Sequence, residues 1–399
     1  MASILRQRIE QHCRLYHSEV VAIRRHLHAN PELAFQEHHT ADFIASKLEQ
    51  YGIPYEKNVA KTGVVGFIEG KKKDKVIALR ADMDALPITE LNAVPYKSKN
   101  EGIMHACGHD AHSAMLLVAA RILNDIRADL DGSIKLIFQP SEEVLPGGAK
   151  AMIEAGVLEN PHVRHVIGQH VLPTMNSGKV GYRSGMYMAS TDEIYLTVKG
   201  KGGHGATPDL NIDPVLIASH IVVTMQQVVS RIAPPTVPTV VSFGRFIAEG
   251  QTNVIPDEVK LSGILRTFNE EWREKAKAKI TKLAEELAQS MGGSCEVNIV
   301  PGYPFVVNDP TLTENLKLFS KEYLGQRKVE ELDMRMTAED FAYYAHKVPS
   351  SFFRIGTKIR GKDITNLHTA TFDIDEDALY RGMGNLAYIA FRTLEELPD

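Results

Sequence analysis

The sequence predicts an α/β fold: a larger domain with a mixed sheet flanked by helices, carrying a smaller inserted α+β domain of ferredoxin-like order. Three observations lead there. A chain of 399 residues exceeds one ordinary core, which makes two domains the prior. Short apolar runs such as Val76-Ile77-Ala78-Leu79 read as strands buried on both faces, and helical stretches lie between them. Residues 185–299 follow the order β-α-β-β-α-β, after which α/β character returns. The expected domains are therefore 1–184 with 300–399, and 185–299 between them.

Residues 4–28 read as an amphipathic helix ending in Arg24-Arg25-His26-Leu27-His28, broken by Asn30-Pro31-Glu32. A second helix runs from about Glu37 to Tyr51 and stops at Gly52 and Pro54. The histidines at 26, 28, 38 and 39 suit surface or supporting positions better than ligand positions. Gly63–Glu69 and Lys75–Arg80 flank a Gly-Lys-Lys-Lys-Asp turn, which predicts a hairpin. The second of these strands delivers Asp82 and Asp84 at its C-terminal end, where open α/β sheets bind ligands. The alternative for both is a carboxylate that caps a loop.

The stretch Met104-His105-Ala106-Cys107-Gly108-His109-Asp110-Ala111-His112 runs into an apolar segment and reads as a loop turning into a helix, with Asp110 or Ser113 as its cap. A soft thiolate, Cys107, and an imidazole, His109, beside a tight Gly108 turn are transition-metal ligands. A lone Cys-x-His is equally a buried cysteine beside surface histidines; ligand-type residues at other strand ends tilt the balance. The Ser133–Phe138 strand ends in Gln139-Pro140-Ser141-Glu142-Glu143, next to Pro146-Gly147-Gly148. Adjacent carboxylates there suit metal-assisted hydrolysis, one holding an ion while its neighbour takes a proton from water. A charged helix N-terminus is the alternative. A fourth strand, Val163–Val171, carries His170 near its end, and residues 173–190 resemble an interdomain crossing.

In the inserted segment we expect strands over 192–199, 239–246, 258–268 and 295–300, with helices over 213–232 and 270–291. The glycines around His204 let backbone and imidazole approach a ligand closely. Asn253 lies in a Thr252–Asp257 turn, and Arg266, borne on a strand, suits either a substrate carboxylate or a surface ion pair. The last hundred residues are read as a helix over 308–323, a helix opening at Met336–Phe341, a strand over 351–357, a loop carrying His368, and a helix over 375–394.

Composition excludes several classes. With 44% hydrophobic and 24% charged residues and a net charge of -5, the chain has no basic stripe, so no nucleic-acid partner is expected. No apolar run is read as long enough for a membrane span, and Met1–Val20 has no signal-peptide core. The three cysteines, Cys13, Cys107 and Cys295, form no disulfide framework and suit the reducing cytoplasm.

Taken together, Arg80-Ala81-Asp82-Met83-Asp84-Ala85-Leu86-Pro87, His105-Ala106-Cys107-Gly108-His109-Asp110, Gln139-Pro140-Ser141-Glu142-Glu143, Gly203-His204-Gly205-Ala206 and Leu367-His368-Thr369 carry a resemblance almost from end to end. The chain resembles the two-metal amidohydrolases and metallopeptidases that include aminoacylases, glutamate carboxypeptidases, hippurate hydrolases and plant indole-acetyl-amino-acid hydrolases. Within that family it most resembles the branch of bacterial N-acyl-amino-acid amidohydrolases and hippurate hydrolases. The resemblance implies two divalent ions, manganese or zinc foremost, with cobalt or nickel open. It implies Cys107 as their bridge, with His109, Glu143, His170 and His368 completing the ligands. Glu142 would be the general base, and Asp84 would orient a ligand histidine. His204 would stabilise the oxyanion, in relatives often across a dimer; Asn253 would assist, and Arg266 would hold the α-carboxylate. Asp82 stands where most relatives place a ligand histidine, and Cys107 where they use an aspartate; both departures are usual in the hippurate-hydrolase branch.

The implied reaction is hydrolysis of a small N-acyl amino acid to a carboxylic acid and a free amino acid. The implied assembly is a homodimer through the inserted domain, which would close as a lid about hinges near 182–190 and 299–303. Two alternatives stay open. One is a dipeptidase or aminopeptidase, with Asp82 as partner of a free amine. The other is a catalytically silent metal-binding protein.

Overall fold

The strand Val76–Asp82 is buried at every position. Such a strand is stable only where both edges are paired and both faces covered. It lies between two parallel neighbours, Ser133–Gln139 and Val163–Asn176. Ser350–Lys358 extends the parallel run beside Val163–Asn176. These four strands centre an eight-stranded mixed sheet. Tyr55–Val59 and Gly63–Ile68 complete one side, and Val180–Tyr182 and Val329–Glu331 the other. The computed structural model describes residues 2–398. Helices Ala2–Ala29, His109–Asp125 and Asp377–Glu396 pack on one another and, through Val20, Leu116, Leu386 and their neighbours, bury one continuous core with the sheet.

The expected hairpin does not form. Gly63–Ile68 and Val76–Asp82 are separated by Ser133–Gln139, which pairs with both: Gly66 lies opposite Leu136, and Ile77 opposite Ile134. An all-apolar strand gains more in the middle of the sheet than at a hairpin margin, so the Lys-rich segment carries the chain past an intervening strand. The hairpin partner of Gly63–Ile68 is the more polar Tyr55–Val59. The helix expected at Met336–Phe341 is also absent, and only Ala342–Ala345 is helical there. Asp340 is held instead by Arg80 Nη2 at 2.8 Å and by the Ala149 amide at 2.9 Å, so its carboxylate does not start a helix.

The chain divides into two compact units. The second comprises Met188–Val306 with Arg335–Glu339, somewhat longer than the 185–299 expected from pattern. Its four antiparallel strands run in the order Thr239–Ile247, Glu258–Thr267, Asp192–Lys199, Ser294–Pro301, the ferredoxin-like arrangement. Both helices have side-chain caps. Asp213 accepts from the Val215 and Leu216 amides ahead of Pro214–Gln227, and Asn269 accepts from the Trp272 amide ahead of Glu270–Ser290. Contrary to the sequence reading, the helical stretch Pro214–Ile232 is long and apolar enough to cross a membrane. Here Ile217, Ala218, Ile221, Met225 and Val228 are buried in the core of this unit instead.

Candidate active site

The ends of the parallel strands and the loops beyond them carry the functional side chains. Gly108 makes the sharpest turn, with φ of +88°, and a Cβ there would lie 2.5 Å from Val171 Cγ2, so only glycine fits. The turn places Cys107 before the helix and His109 as its first residue. The two residues expected to cap that helix do other work. Ser113 Oγ donates to the Asp82 carbonyl at 2.8 Å, and the Asp110 carboxylate accepts from Arg24 Nε at 2.9 Å.

Five predicted ligands come together. The donor atoms of Cys107, His109 and His170 lie within 4.8 Å of one another, as do those of Cys107, Glu143 and His368. Cys107 belongs to both sets. Its Sγ is 3.5 Å from His170 Nε2, and His368 Nε2 is 3.1 Å from Glu143 Oε1. His170 Nδ1 donates to the Val171 carbonyl at 2.8 Å, and His109 Nδ1 to Asp84 Oδ1 at 3.2 Å. Those bonds fix both tautomers with Nε2 free to ligate. His368 has φ of +61°, a conformation that non-glycine residues rarely hold unless their surroundings impose it.

Asp84 builds the turn that carries Glu142. Its Oδ1 accepts from the Glu142 amide at 2.9 Å and its Oδ2 from the Glu143 amide at 3.0 Å. The preceding amide, Ser141, donates to Glu37 Oε1 at 2.9 Å. Ser141 has φ of +50°, so three successive amides are captured by two buried carboxylates at a strained position. Glu37 also accepts from the Phe35 amide and from Thr62 Oγ1, and burial raises its pKa. Glu37→Ala is expected to lower kcat about tenfold with KM and bound metal near wild type, because it loosens Glu142 without touching a ligand. Steady-state kinetics with metal analysis checks this, and an unchanged kcat would refute it.

Asp82 is sealed in. Its Oδ1 accepts from His112 Nδ1 at 2.6 Å and its Oδ2 from Arg80 Nη1 at 2.6 Å. Burial opposes its charge, but His109, Arg80 and His112 hold its pKa well below the usual carboxylate range. His112 Nε2 accepts from the Val171 amide at 2.9 Å, so neither of its nitrogens can ligate. Sequence reasoning did not single out His112. Its spacing of three residues from His109 on one helix was the available signal.

In the second unit, short strands Gly203–His204 and Val254–Ile255 pair, and the Gly205 amide donates to the Asn253 carbonyl at 2.9 Å. His204 and Asn253 are thus neighbours. The Ala206 amide donates to His204 Nδ1 at 3.0 Å, which leaves the proton of the neutral ring on the exposed Nε2. Arg266 stands in the strand Glu258–Thr267, and its Nη1 is buried without a hydrogen-bond partner.

The donor set suits divalent transition ions: thiolate, imidazole and carboxylate together, with His109 Nε2 buried and lacking a hydrogen-bond partner. Without an ion the pocket holds protons. Burial works against a charged His109, but Asp82, Asp84 and Glu143 push its pKa up to about 10. Burial, then the carboxylates of Glu143, Glu142 and Asp82, push the Cys107 thiol well above its ordinary value. Ion uptake near pH 7 must expel these protons, so affinity is expected to rise with pH and fall as pH drops. Calorimetry in buffers of different ionisation enthalpy should find about two protons released on loading; no release would contradict this ionisation.

A mixed sheet presenting thiolate, imidazole and carboxylate donors at its strand ends defines a metallohydrolase site. Residues 78–392 match the family described as Peptidase family M20/M25/M40. The chain is 43% identical over 362 residues to putative amidohydrolase YhaA of Bacillus subtilis, spanning 90% of this chain and 91% of that protein. It is 42% identical over 291 residues to N-acyl-L-amino acid amidohydrolase of Geobacillus stearothermophilus, spanning 73% of this chain and 78% of that one. The crystal structure of the YXEP protein of Bacillus subtilis, a dinuclear metal-binding peptidase of the M20 family, superposes with a TM-score of 0.83 at 36% identity, covering 96% of this chain and 99% of that chain. This chain belongs to the M20/M25/M40 family. It is a metal-dependent amidohydrolase.

Proposed function

We propose that this enzyme hydrolyses the amide bond of N-acyl-L-amino acids, hippurate-like or N-acetylated, to a carboxylic acid and a free amino acid. One observation carries the reading: a single turn, pinned by Asp84, places Glu143 among the candidate ligands and Glu142 beside them, with donor atoms of His109, Glu142 and Glu143 within 4.8 Å of one another. Cys107, His109, His170, Glu143 and His368 would hold two divalent ions, manganese or zinc foremost, with cobalt or nickel open. Such ions lower the pKa of bound water and polarise a scissile carbonyl. Glu142 takes the proton of the attacking water and returns it to the leaving amine. His204, carrying its proton on Nε2, donates to the developing oxyanion with Asn253 assisting, and Arg266, whose Nη1 lacks a hydrogen-bond partner, binds the α-carboxylate.

The name of the Geobacillus relative supports an acylated substrate. So does Asp82, whose oxygens are engaged by His112 and Arg80 and leave no free carboxylate for a substrate ammonium. We further assign a homodimer through the second unit, where Leu216 and Val223 of one helix and Phe246 of the edge strand are exposed. Three free, buried cysteines suit the cytoplasm. The test is amino-acid release from N-acyl amino acids and dipeptides by chelator-stripped protein reloaded with each metal. Metal-dependent release from hippurate or N-acetyl amino acids, with dipeptides poor, is expected. Turnover of dipeptides alone would move the substrate class to peptides.

A further inference from the structure

The end of the first helix, Arg24-Arg25-His26-Leu27-His28, takes no part in the reaction described so far. Arg24 is nevertheless fully buried. A guanidinium is tolerated there only where carboxylates offset its desolvation. Its Nε donates to Asp110 Oδ2 at 2.9 Å, its Nη2 donates to Asp373 Oδ1 at 3.0 Å, and its Nη1 lies 3.6 Å from Glu376 Oε1. Asp110 directly follows His109, and Asp373 closes the loop that carries His368. One guanidinium thus bridges the two ligand-bearing segments.

The bridge is braced on both sides. One turn further along the helix, His28 donates from Nδ1 to the same Asp110 Oδ2 at 2.7 Å, while its Nε2 faces Glu90 Oε1 at 3.2 Å. Asn92 Nδ2 donates to Glu90 Oε1 at 3.1 Å and to the Phe372 carbonyl at 2.9 Å. The Tyr96 hydroxyl donates to Asp373 Oδ2 at 3.0 Å. Near the ligands themselves, the amide of His368 donates to the Ala106 carbonyl at 2.8 Å. His368 is half exposed and sits at positive φ, so its placement depends on how its loop is anchored.

We infer that Arg24 is a positioning residue for the metal centre: through Asp110 and Asp373 it fixes the His368 segment against the Cys107-Gly108-His109 turn, and so sets the affinity of the ion that His368 and Glu143 share with Cys107. The inference rests on the ligand assignment proposed above. Loss of an ion pair that serves stability alone would lower the unfolding temperature and leave ion affinity in the folded protein unchanged.

The experiment titrates cobalt(II) into the chelator-stripped full chain. It follows the near-ultraviolet thiolate-to-cobalt charge-transfer band and the bound stoichiometry, alongside thermal unfolding. Arg24→Lys shortens the bridge. Asp373→Asn takes the charge from its second arm, sets an NH₂ group against Arg24 Nη2 or the Tyr96 hydroxyl, and leaves the buried Arg24–Asp110 pair intact, so it tests the idea even if the Arg24 variant does not fold. Arg25→Gln removes the exposed pair that the neighbouring arginine makes with Glu376 and serves as the control. We expect the wild-type chain to take up two ions with a thiolate band. Asp373→Asn and Arg24→Lys should weaken one ion about tenfold or more and alter the band, with the other ion and Arg25→Gln as wild type. Wild-type affinity for both ions in Asp373→Asn, or equal weakening in Arg25→Gln, would overturn the positioning role while leaving the ligand assignment standing. A wild-type chain with no thiolate band would overturn the ligand assignment and the inference with it.

Discussion

Glu142→Gln is expected to lower kcat by about 10²–10⁴-fold while both ions stay bound. The substitution is nearly isosteric. The Glu142 backbone amide keeps its bond to Asp84 Oδ1, and Oε1, 3.4 Å from the Asp340 amide, keeps an accepting oxygen. What disappears is the ability to accept and return a proton. KM should move little, because the ground state loses no contact to an ion or to the substrate carboxylate. Metal per chain, kcat and KM measured on the same preparation separate the cases. Full metal with kcat within tenfold of wild type would remove Glu142 from the chemistry, whereas lost metal would make it a ligand.

The fold was legible where local pattern carries the answer. In the second unit, alternating strands and helices preceded by Asp213 and Asn269 give boundaries and order directly, because caps and periodicity are local signals. Pairing is not local. The run Val76-Ile77-Ala78-Leu79 states that a strand is buried, but not that Ser133–Gln139 comes between it and Gly63–Ile68. Likewise Asp340 looked like part of a helix start, and only tertiary structure brings Arg80 and Gln139 to its carboxylate.

The candidate site shows the same division. Cys107, His109, Glu142, Glu143, His170 and His368 announce themselves because thiol, imidazole and paired carboxylates are costly at strand ends without a purpose. The frame behind them does not. Glu37 reads as an ordinary residue at a helix start, yet it holds the Ser141 amide. Arg24 and His28 read as the basic end of an amphipathic helix, yet both are buried around Asp110. Nothing within a few residues of these positions signals burial. Their partners stand far away in the chain; for Arg24 and His28 it is packing of the first helix against the helix His109–Asp125 that brings them to Asp110.

Asp84→Asn is expected to be as damaging as loss of the base, by a different route. One carboxylate serves three donors: His109 Nδ1 at 3.2 Å, the Glu142 amide at 2.9 Å and the Glu143 amide at 3.0 Å. An asparagine offers one acceptor oxygen and sets an NH₂ group against at least one remaining N–H. The orphaned donor costs about 1–3 kcal/mol in a buried site. The turn must then shift, taking Glu142 and Glu143 with it, and His109 loses the bond that fixes its tautomer. Ion affinity should fall about 10–100-fold. At saturating metal kcat should still be depressed, because Glu142 no longer meets its proton. The combination with Glu142→Gln distinguishes this account from generic damage. If Asp84 acts partly by placing Glu142, the double variant at saturating metal should lose far less than the product of the two single losses. Losses that multiply would show that Asp84 acts on the ligands alone.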